Sequence, residues 1–201
     1  LPPLVKGEWV MGFSITEPEA GSDAASVITR AEKAGEDYVI NGNKVMISNG
    51  TEAKFLLVYC LTHPEETSKS KRHSILLVET DRPGYKADKI LGKMGLHASD
   101  TANIYFNNVK VPKENLVGVE GNGFVQLMNF LDHSRVAVAA DSLGLAQGAM
   151  EQAINYVKKR KQFGRTIASF QVTQFKIAEM ATLVETARNL TYKAAWALDR
   201  G

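Results

Sequence analysis

Three short stretches carry side chains that could do chemistry. The first is Phe13-Ser-Ile-Thr-Glu-Pro-Glu-Ala-Gly-Ser-Asp23, which leaves an apolar run and enters a polar turn containing a glycine. Thr16 and Ser22 offer hydroxyls there, and the turn leaves backbone N–H groups free. Such donors suit an electron-poor ring or a phosphate, and an ordinary Asx-type turn is the plainer reading of the same residues. The second is Asp132-His-Ser-Arg135, where helical spacing puts Asp132 and Arg135 one turn apart. A surface ion pair is the plain reading, and His133, whose type titrates near neutrality, reads as a polar helix residue. The third is Lys158-Lys-Arg-Lys161, a solvated helix end on charge pattern alone. The lone Cys60 sits in the apolar run Phe55-Leu-Leu-Val-Tyr-Cys-Leu61 and reads as a core thiol, with no disulfide within the chain.

Two kinds of element must position these groups. From Val10 to about Val117, short β-branched and aromatic runs alternate with turn signals, the pattern of an antiparallel sheet. Strands are expected at 10–16, 27–32, 54–61, 73–79, 103–106 and 109–111. Within 37–48, Asn41-Gly42 predicts a type I′ turn and a tight hairpin. This many strands in about 110 residues implies a small barrel or sandwich. The Glu-, Ser- and Lys-rich stretch 62–72 reads as a solvated loop. After Gly121 the period changes to about 3.6. Phe124, Leu127, Met128, Leu131, Ala139, Leu143, Ala146, Met150, Ile154 and Val157 form one stripe on a very long helix. Four cations in the last turn and Gly164 just beyond are its expected stop. Ile177, Met180, Val184, Ala187, Leu190, Ala194 and Leu198 predict a second helix running to the end. The fold class is therefore α+β: an antiparallel β-barrel-like domain over 1–118, then long antiparallel helices of an incomplete bundle over 119–201.

Of the 201 residues, 44% are hydrophobic and 23% charged, enough for a real core under a wet surface. The formal net charge of +2 excludes the clustered basic excess of a nucleic-acid binder. No stretch approaches the roughly 20 apolar residues of a membrane span. The opening Leu1-Pro-Pro-Leu-Val-Lys6 has neither initiator Met nor targeting pattern and reads as mid-protein, with the beginning missing.

Several motifs fall in a fixed order: Thr16-Glu-Pro-Glu-Ala-Gly-Ser-Asp23, Ile40-Asn-Gly-Asn-Lys44, Ile47-Ser-Asn-Gly50, Met94-Gly-Leu-His-Ala-Ser-Asp-Thr101 and Val109-Lys-Val-Pro-Lys-Glu-Asn-Leu-Val-Gly118. Gly144-Leu-Ala-Gln147 and Arg160-Lys-Gln-Phe-Gly164 follow in the helical half. In order and spacing, over nearly all of the chain, they resemble the acyl-CoA dehydrogenase family: its middle β domain and the first part of its C-terminal helical domain, without the N-terminal helical domain.

That resemblance implies FAD as cofactor and names positions for it. Phe13, Ile15 and Thr16 match strand-end residues along the isoalloxazine, with backbone N–H groups and the Thr16 hydroxyl at its pyrimidine edge. Ser22 matches a position contacting the FAD phosphates and bordering CoA. Ser48 stands where the family usually has a Thr whose hydroxyl reaches the flavin N5. Met46 is a departure, since the family usually has a Trp there against the flavin. The change bears on the electron acceptor and on solvent access, or else Met46 merely packs. Arg160, Gln162, Phe163 and Gln171 match a segment that reaches across a subunit interface to a neighbour's FAD, where a guanidinium fork suits a diphosphate. Asp132, Ser134 and Arg135 match positions at the acyl-CoA pocket.

The implied reaction is α,β-dehydrogenation of an acyl-CoA thioester, with a carboxylate taking the α proton and the β hydrogen leaving as hydride to flavin N5. Ser134 occupies the position that carries the base in a minority of the family. No catalytic base is therefore expected in these residues, and a segment beyond residue 201 is expected to supply it. The resemblance further implies a homo-oligomer, a dimer of dimers, with an electron-transfer flavoprotein as acceptor; the sequence does not say whether its place is a bacterial cytoplasm or a mitochondrial matrix. The competing readings are a flavin-dependent monooxygenase or oxidase on the same fold, a non-catalytic assembly homologue, and an unrelated β-barrel ligand binder with a helical tail.

Overall fold

The structure is a computed structural model that describes residues 2–200. A short helix, α1 (Pro2–Val5), precedes β1 (Met11–Ser14), β2 (Arg30–Ala34), β3 (Asp37–Ser48), β4 (Phe55–Leu61), β5 (His73–Glu79), β6 (Tyr85–Lys89) and β7 (Thr101–Pro112). Then come α2 (Gly123–Lys159), the two-residue strands β8 (Lys161–Gln162) and β9 (Arg165–Thr166), and α3 (Gln171–Leu198). The chain divides into two compact units, one up to Leu127 and one from Met128 onward.

In the first unit the strands run in the order β1-β4-β2-β3-β7-β6, with β5 also paired to β4. Most pairings are antiparallel, as expected, while β4 lies parallel to β1 and, at Arg30–Leu61, to β2. The inward face carries Ile40, Ile47, Leu56, Val58, Val78, Ala102, Ile104, Val109 and Val111, all at most 3% exposed. Each such Val, Leu or Ile stabilises the fold by roughly 1.5–3 kcal/mol relative to exposure. β4 is buried along almost its whole length, which is why its sequence reads as a continuous apolar run rather than an alternation.

The hairpin expected at Asn41-Gly42 does not form. Asp37–Ser48 is a single strand, and the tight turn is Gly35-Glu36, with Gly35 at φ +67° joining β2 to β3. Asn41-Gly42 has another task. The register of β3 on β7 shifts there, opposite Asn107-Asn108, which bulges with Asn108 at φ +52°. The Asn41 side chain closes the bulge, with Oδ1 accepting from the Asn108 N–H at 2.8 Å and Nδ2 donating to Asn108 Oδ1 at 3.2 Å. Gly42 is needed for close approach, because a Cβ would meet Thr29 Oγ1 at 2.5 Å. That bulge also explains why 103–106 and 109–111 read as two strands. It switches the inward phase from Ile104 and Phe106 to Val109 and Val111 within the one strand β7. β6 is a short edge whose two core-facing residues, Tyr85 and Ala87, alternate with Lys86 and Asp88, too brief a pattern to stand out.

In the second unit α2 ends at Lys159, so only Lys158 and Lys159 face the negative end of its dipole, not the four cations expected. Arg160 and Lys161 instead enter a small hairpin, β8–β9, turned by Phe163 at φ +52° and Gly164 at φ +78°. These two positive φ angles make it the type I′ turn. α2 and α3 are linked by Arg188, whose guanidinium donates to Gln147 Oε1 at 2.5 Å. The stripes read from sequence are only partly covered. Leu143 and Val184 are buried, whereas Ala139, Ala146, Ala187, Leu190 and Ala194 are exposed, as are Phe130, Val138, Phe175 and Trp196. Among the described residues, no helix is long and apolar enough to cross a membrane.

Candidate functional site

Four of the residues singled out in the first half of the chain lie along the edge where β1 and the residues after it run beside the end of β3. Asn49 Nδ2 donates to the Met11 carbonyl at 3.1 Å, and a Cβ on Gly12 would meet the Ser48 carbonyl at 2.7 Å. Beyond the end of β1 the Thr16 carbonyl accepts from the Val45 N–H at 2.9 Å. Phe13, Thr16, Met46 and Ser48 thereby lie along one edge. Phe13, Ile15 and Thr16 are half-buried, Ser48 is exposed, and Met46 is 72% exposed.

Met46 is where the backbone departs from the strand. The β3–β7 register breaks between Lys44 and Ile47, and Met46 adopts φ +58°. The extra residue shifts the inward phase from Lys44 to Ile47 and turns the Met46 side chain outward. A left-handed residue other than glycine costs about 1–2 kcal/mol, and an exposed side chain returns little of it by packing.

The donors needed for an acceptor-rich ligand are open. The Thr16 N–H, the Thr16 hydroxyl and the Ser48 hydroxyl have no partner among the described residues. Ser22 lies past the tight Glu17–Ala20 bridge, exposed, with its hydroxyl equally free among the described residues.

Beneath this edge lies a buried ion pair that sequence reading missed. Lys44 is 0% exposed, and its Nζ lies 2.7 Å from the Ile15 carbonyl, 2.7 Å from the Tyr59 carbonyl and 3.0 Å from Glu17 Oε1. Its three ammonium donors thus meet three acceptors. Glu17 in turn accepts from the N–H groups of Ile28 and Thr29, each at 2.8 Å. Burial raises the Glu17 carboxyl, but the Lys44 charge and these N–H donors outweigh it and hold the pKa below the ordinary value. Burial lowers Lys44, opposed by Glu17. The signal for the pair was present: Tyr38 and Ile40 face inward, and continuing that alternation puts Lys44 inside. The assumed turn at Asn41-Gly42 concealed it.

Tyr59 stacks on His73 with ring centroids 4.8 Å apart, and His73 Nε2 lies 3.0 Å from the Val27 carbonyl. Burial pushes the Cys60 thiol up to about 12, and its Sγ contacts the Ser74 carbonyl at 3.7 Å, so it is the inert core residue expected.

In the second unit, Arg160 precedes the β8–β9 hairpin, whose carbonyl–amide bond Ile167 N–H to Arg160 O measures 2.9 Å. Phe163 projects from the turn, 92% exposed, with its ring 6.3 Å from that of Phe170, and Arg165 lies 4.2 Å over the Phe170 ring. Gln162 donates only to the neighbouring Lys161 carbonyl, and Gln171 opens α3. The hairpin and helix start therefore group Arg160, Gln162, Phe163 and Gln171 in one short segment. On α2, Asp132 and Arg135 form the expected exposed ion pair, and the Ser134 hydroxyl donates to the Leu131 carbonyl at 3.0 Å. His133 Nδ1 lies 2.8 Å from the Asn129 carbonyl, a local helix contact.

Comparison with known proteins agrees with the fold. The family described as "Acyl-CoA dehydrogenase, middle domain" matches residues 12–109, and "Acyl-CoA dehydrogenase, C-terminal domain" matches 121–201. An acyl-CoA dehydrogenase of Bacillus subtilis is 42% identical over 100% of this chain and 52% of its own length. The acyl-CoA dehydrogenase structure from Geobacillus kaustophilus is 40% identical, with a TM-score of 0.93 over 96% of this chain and 51% of that one. The glutaryl-coenzyme A dehydrogenase structure with glutaryl-CoA is 42% identical, with a TM-score of 0.94 over 100% of this chain and 50% of that one. The chain belongs to the acyl-CoA dehydrogenase family, and it spans about half the length of the relatives it matches. Membership implies an FAD cofactor, and the unpartnered donors of Thr16 and Ser48 beside the half-buried Phe13 fit an acceptor-rich aromatic ring.

Proposed function

We propose that this chain is the flavin-binding portion of an enzyme that dehydrogenates an acyl-CoA thioester between its α and β carbons. The observation carrying this reading is the strand-end edge, where Thr16 and Ser48 keep their donors unpaired in a chain of this family. FAD, when bound, supplies the two-electron acceptor. Thr16 contributes an N–H and a hydroxyl toward the pyrimidine edge, Ser48 a hydroxyl toward N5, and Phe13 and Ile15 an apolar flank. Preorganised donors of this kind stabilise negative charge where it accumulates, with no reorganisation at the moment of reaction. Ser22 borders the phosphates. Arg160, Gln162, Phe163 and Gln171 hold the diphosphate and adenosine side of a neighbouring subunit's cofactor, in a dimer of dimers. Asp132 and Arg135 line the mouth of the acyl-CoA pocket.

The α proton needs a base, and the candidates on α2 do not provide one. Asp132 is paired with Arg135, and Ser134 donates to the backbone with no base beside it. The base is assigned to a carboxylate outside these 201 residues, and the acceptor to an electron-transfer flavoprotein. A second reading, an oxidase or monooxygenase on the same fold, is favoured by the exposed Met46 where the family pattern has a Trp.

The test uses the complete protein, incubated anaerobically with a panel of acyl-CoA esters while the flavin absorbance is followed. Bleaching by at least one ester, with slow reoxidation in air while product is bound, is expected. Rapid reoxidation by oxygen transfers the assignment to the oxidase reading, and no bleaching by any ester overturns both.

A further inference from the structure

We propose that the buried Lys44–Glu17 pair is a positioning device that aims the Thr16 N–H at the flavin, an inference that rests on the function proposed above. Ile15 C=O and Thr16 N–H belong to one planar trans peptide and point in opposite directions. Lys44 Nζ grips the Ile15 carbonyl from the interior at 2.7 Å, so the Thr16 N–H is directed away from the core. The next carbonyl, that of Thr16, is fixed by the Val45 N–H at 2.9 Å, which prevents the peptide from rotating about either side. Glu17 completes the frame. Its N–H donates to Ala20 O at 2.8 Å, and its carboxylate ties the base of the loop to Ile28 and Thr29 while neutralising Lys44.

An ammonium is a costly way to fill this space. Burying a charge carries a desolvation penalty that a methionine of similar length would avoid, and buried ion pairs are often replaceable by apolar residues without loss of stability. What methionine cannot do is donate to two carbonyls at once, one in the loop after β1 and one in β4. Ile15 lies past the last residue of β1, so no ladder hydrogen bond orients its peptide. Lys44 also spans from that peptide to Tyr59 O in β4, which refers the loop to a strand buried along almost its whole length. The pair thus connects the core to the orientation of a single amide.

The experiment uses the complete FAD-loaded protein. Lys44→Met alone strands Glu17 without its partner and can fail to fold, so the decisive variant is the charge-balanced Lys44→Met/Glu17→Gln. Val111→Ala, on β7 in the core opposite Tyr38 at the far end of β3, serves as a control for lost stability. Far-UV circular dichroism and urea denaturation of the apoproteins establish folding. FAD affinity, the visible flavin spectrum and the flavin midpoint potential are then measured. The double variant is expected to fold, to bind FAD at least about tenfold more weakly, and to shift the midpoint potential to more negative values as the aimed donor is lost. Val111→Ala is expected to lose stability and leave the potential unchanged. A double variant with the parent's affinity, spectrum and potential overturns the proposal. So does failure of the double variant to fold, which assigns the pair to the core alone. A parent protein that takes up no FAD overturns the proposed function instead, and the two failures are thereby distinguished.

Discussion

Met46 gives the sharpest test of how backbone and side chain are traded at this edge. Its φ of +58° places it in the left-handed region, at a cost of about 1–2 kcal/mol for an L residue with a Cβ. Its side chain is 72% exposed, so truncation forfeits only about 0.5 kcal/mol of burial. Met46→Gly relieves the strain but adds roughly 0.5–1 kcal/mol of unfolded-state entropy, for a net change near zero. Met46→Val places a β-branched side chain in the same conformation and is expected to destabilise by about 1–2 kcal/mol or more. The assay is urea denaturation of the apoproteins, reading the midpoint at constant slope. If packing rather than strain governed the position, the order would invert, with glycine the worse substitution and valine mild. That inverted order refutes the reasoning.

Two further predictions concern the interior. The depressed pKa values of His73 and Glu17 mean that the unfolded chain takes up protons first on acidification. Stability is then fully present above the unfolded values of 6.5 and 4.5 and is lost as pH falls through the lower folded ones. Urea midpoints measured from pH 8 to pH 4 should decline, and a flat profile would show these groups to be unperturbed. Gly42→Ala should destabilise by about 1–3 kcal/mol, because the new Cβ would meet Thr29 Cα at 2.7 Å, and a thermal melt matching the parent would remove Gly42 from its role in the bulge.

The sequence made the two-part architecture legible because periodicity survives in both halves. β4 and β5 carry unbroken apolar runs, and α2 repeats its stripe over ten turns' worth of chain. What it concealed were the places where a strand changes phase without ending. Asn41-Gly42 has the composition of a turn, yet it faces a bulge in β7 whose existence depends on a partner 67 residues away. That one error hid the inward direction of Lys44, and with it the ion pair under the candidate site. The strand-end residues Phe13, Thr16 and Ser48 were legible through motif order, since hydroxyls and glycines at fixed spacing survive any error about the strand between them. The β8–β9 hairpin was not, because Lys161, Gln162, Arg165 and Thr166 have neither alternation nor apolar content. Phe163-Gly164 was its only signal, and it resembles a helix stop.

The claim on which the rest depends is that Thr16 and its neighbours hold a flavin. The most direct measurement is a titration of the complete apoprotein with FAD, followed by absorbance and fluorescence, beside Thr16→Val. The parent should become yellow and saturable, and the variant, short one hydrogen bond of about 0.5–1.5 kcal/mol, should bind roughly two- to twelvefold more weakly. A complete protein that stays colourless with excess FAD, or a Thr16→Val variant that binds as tightly as the parent, would contradict it.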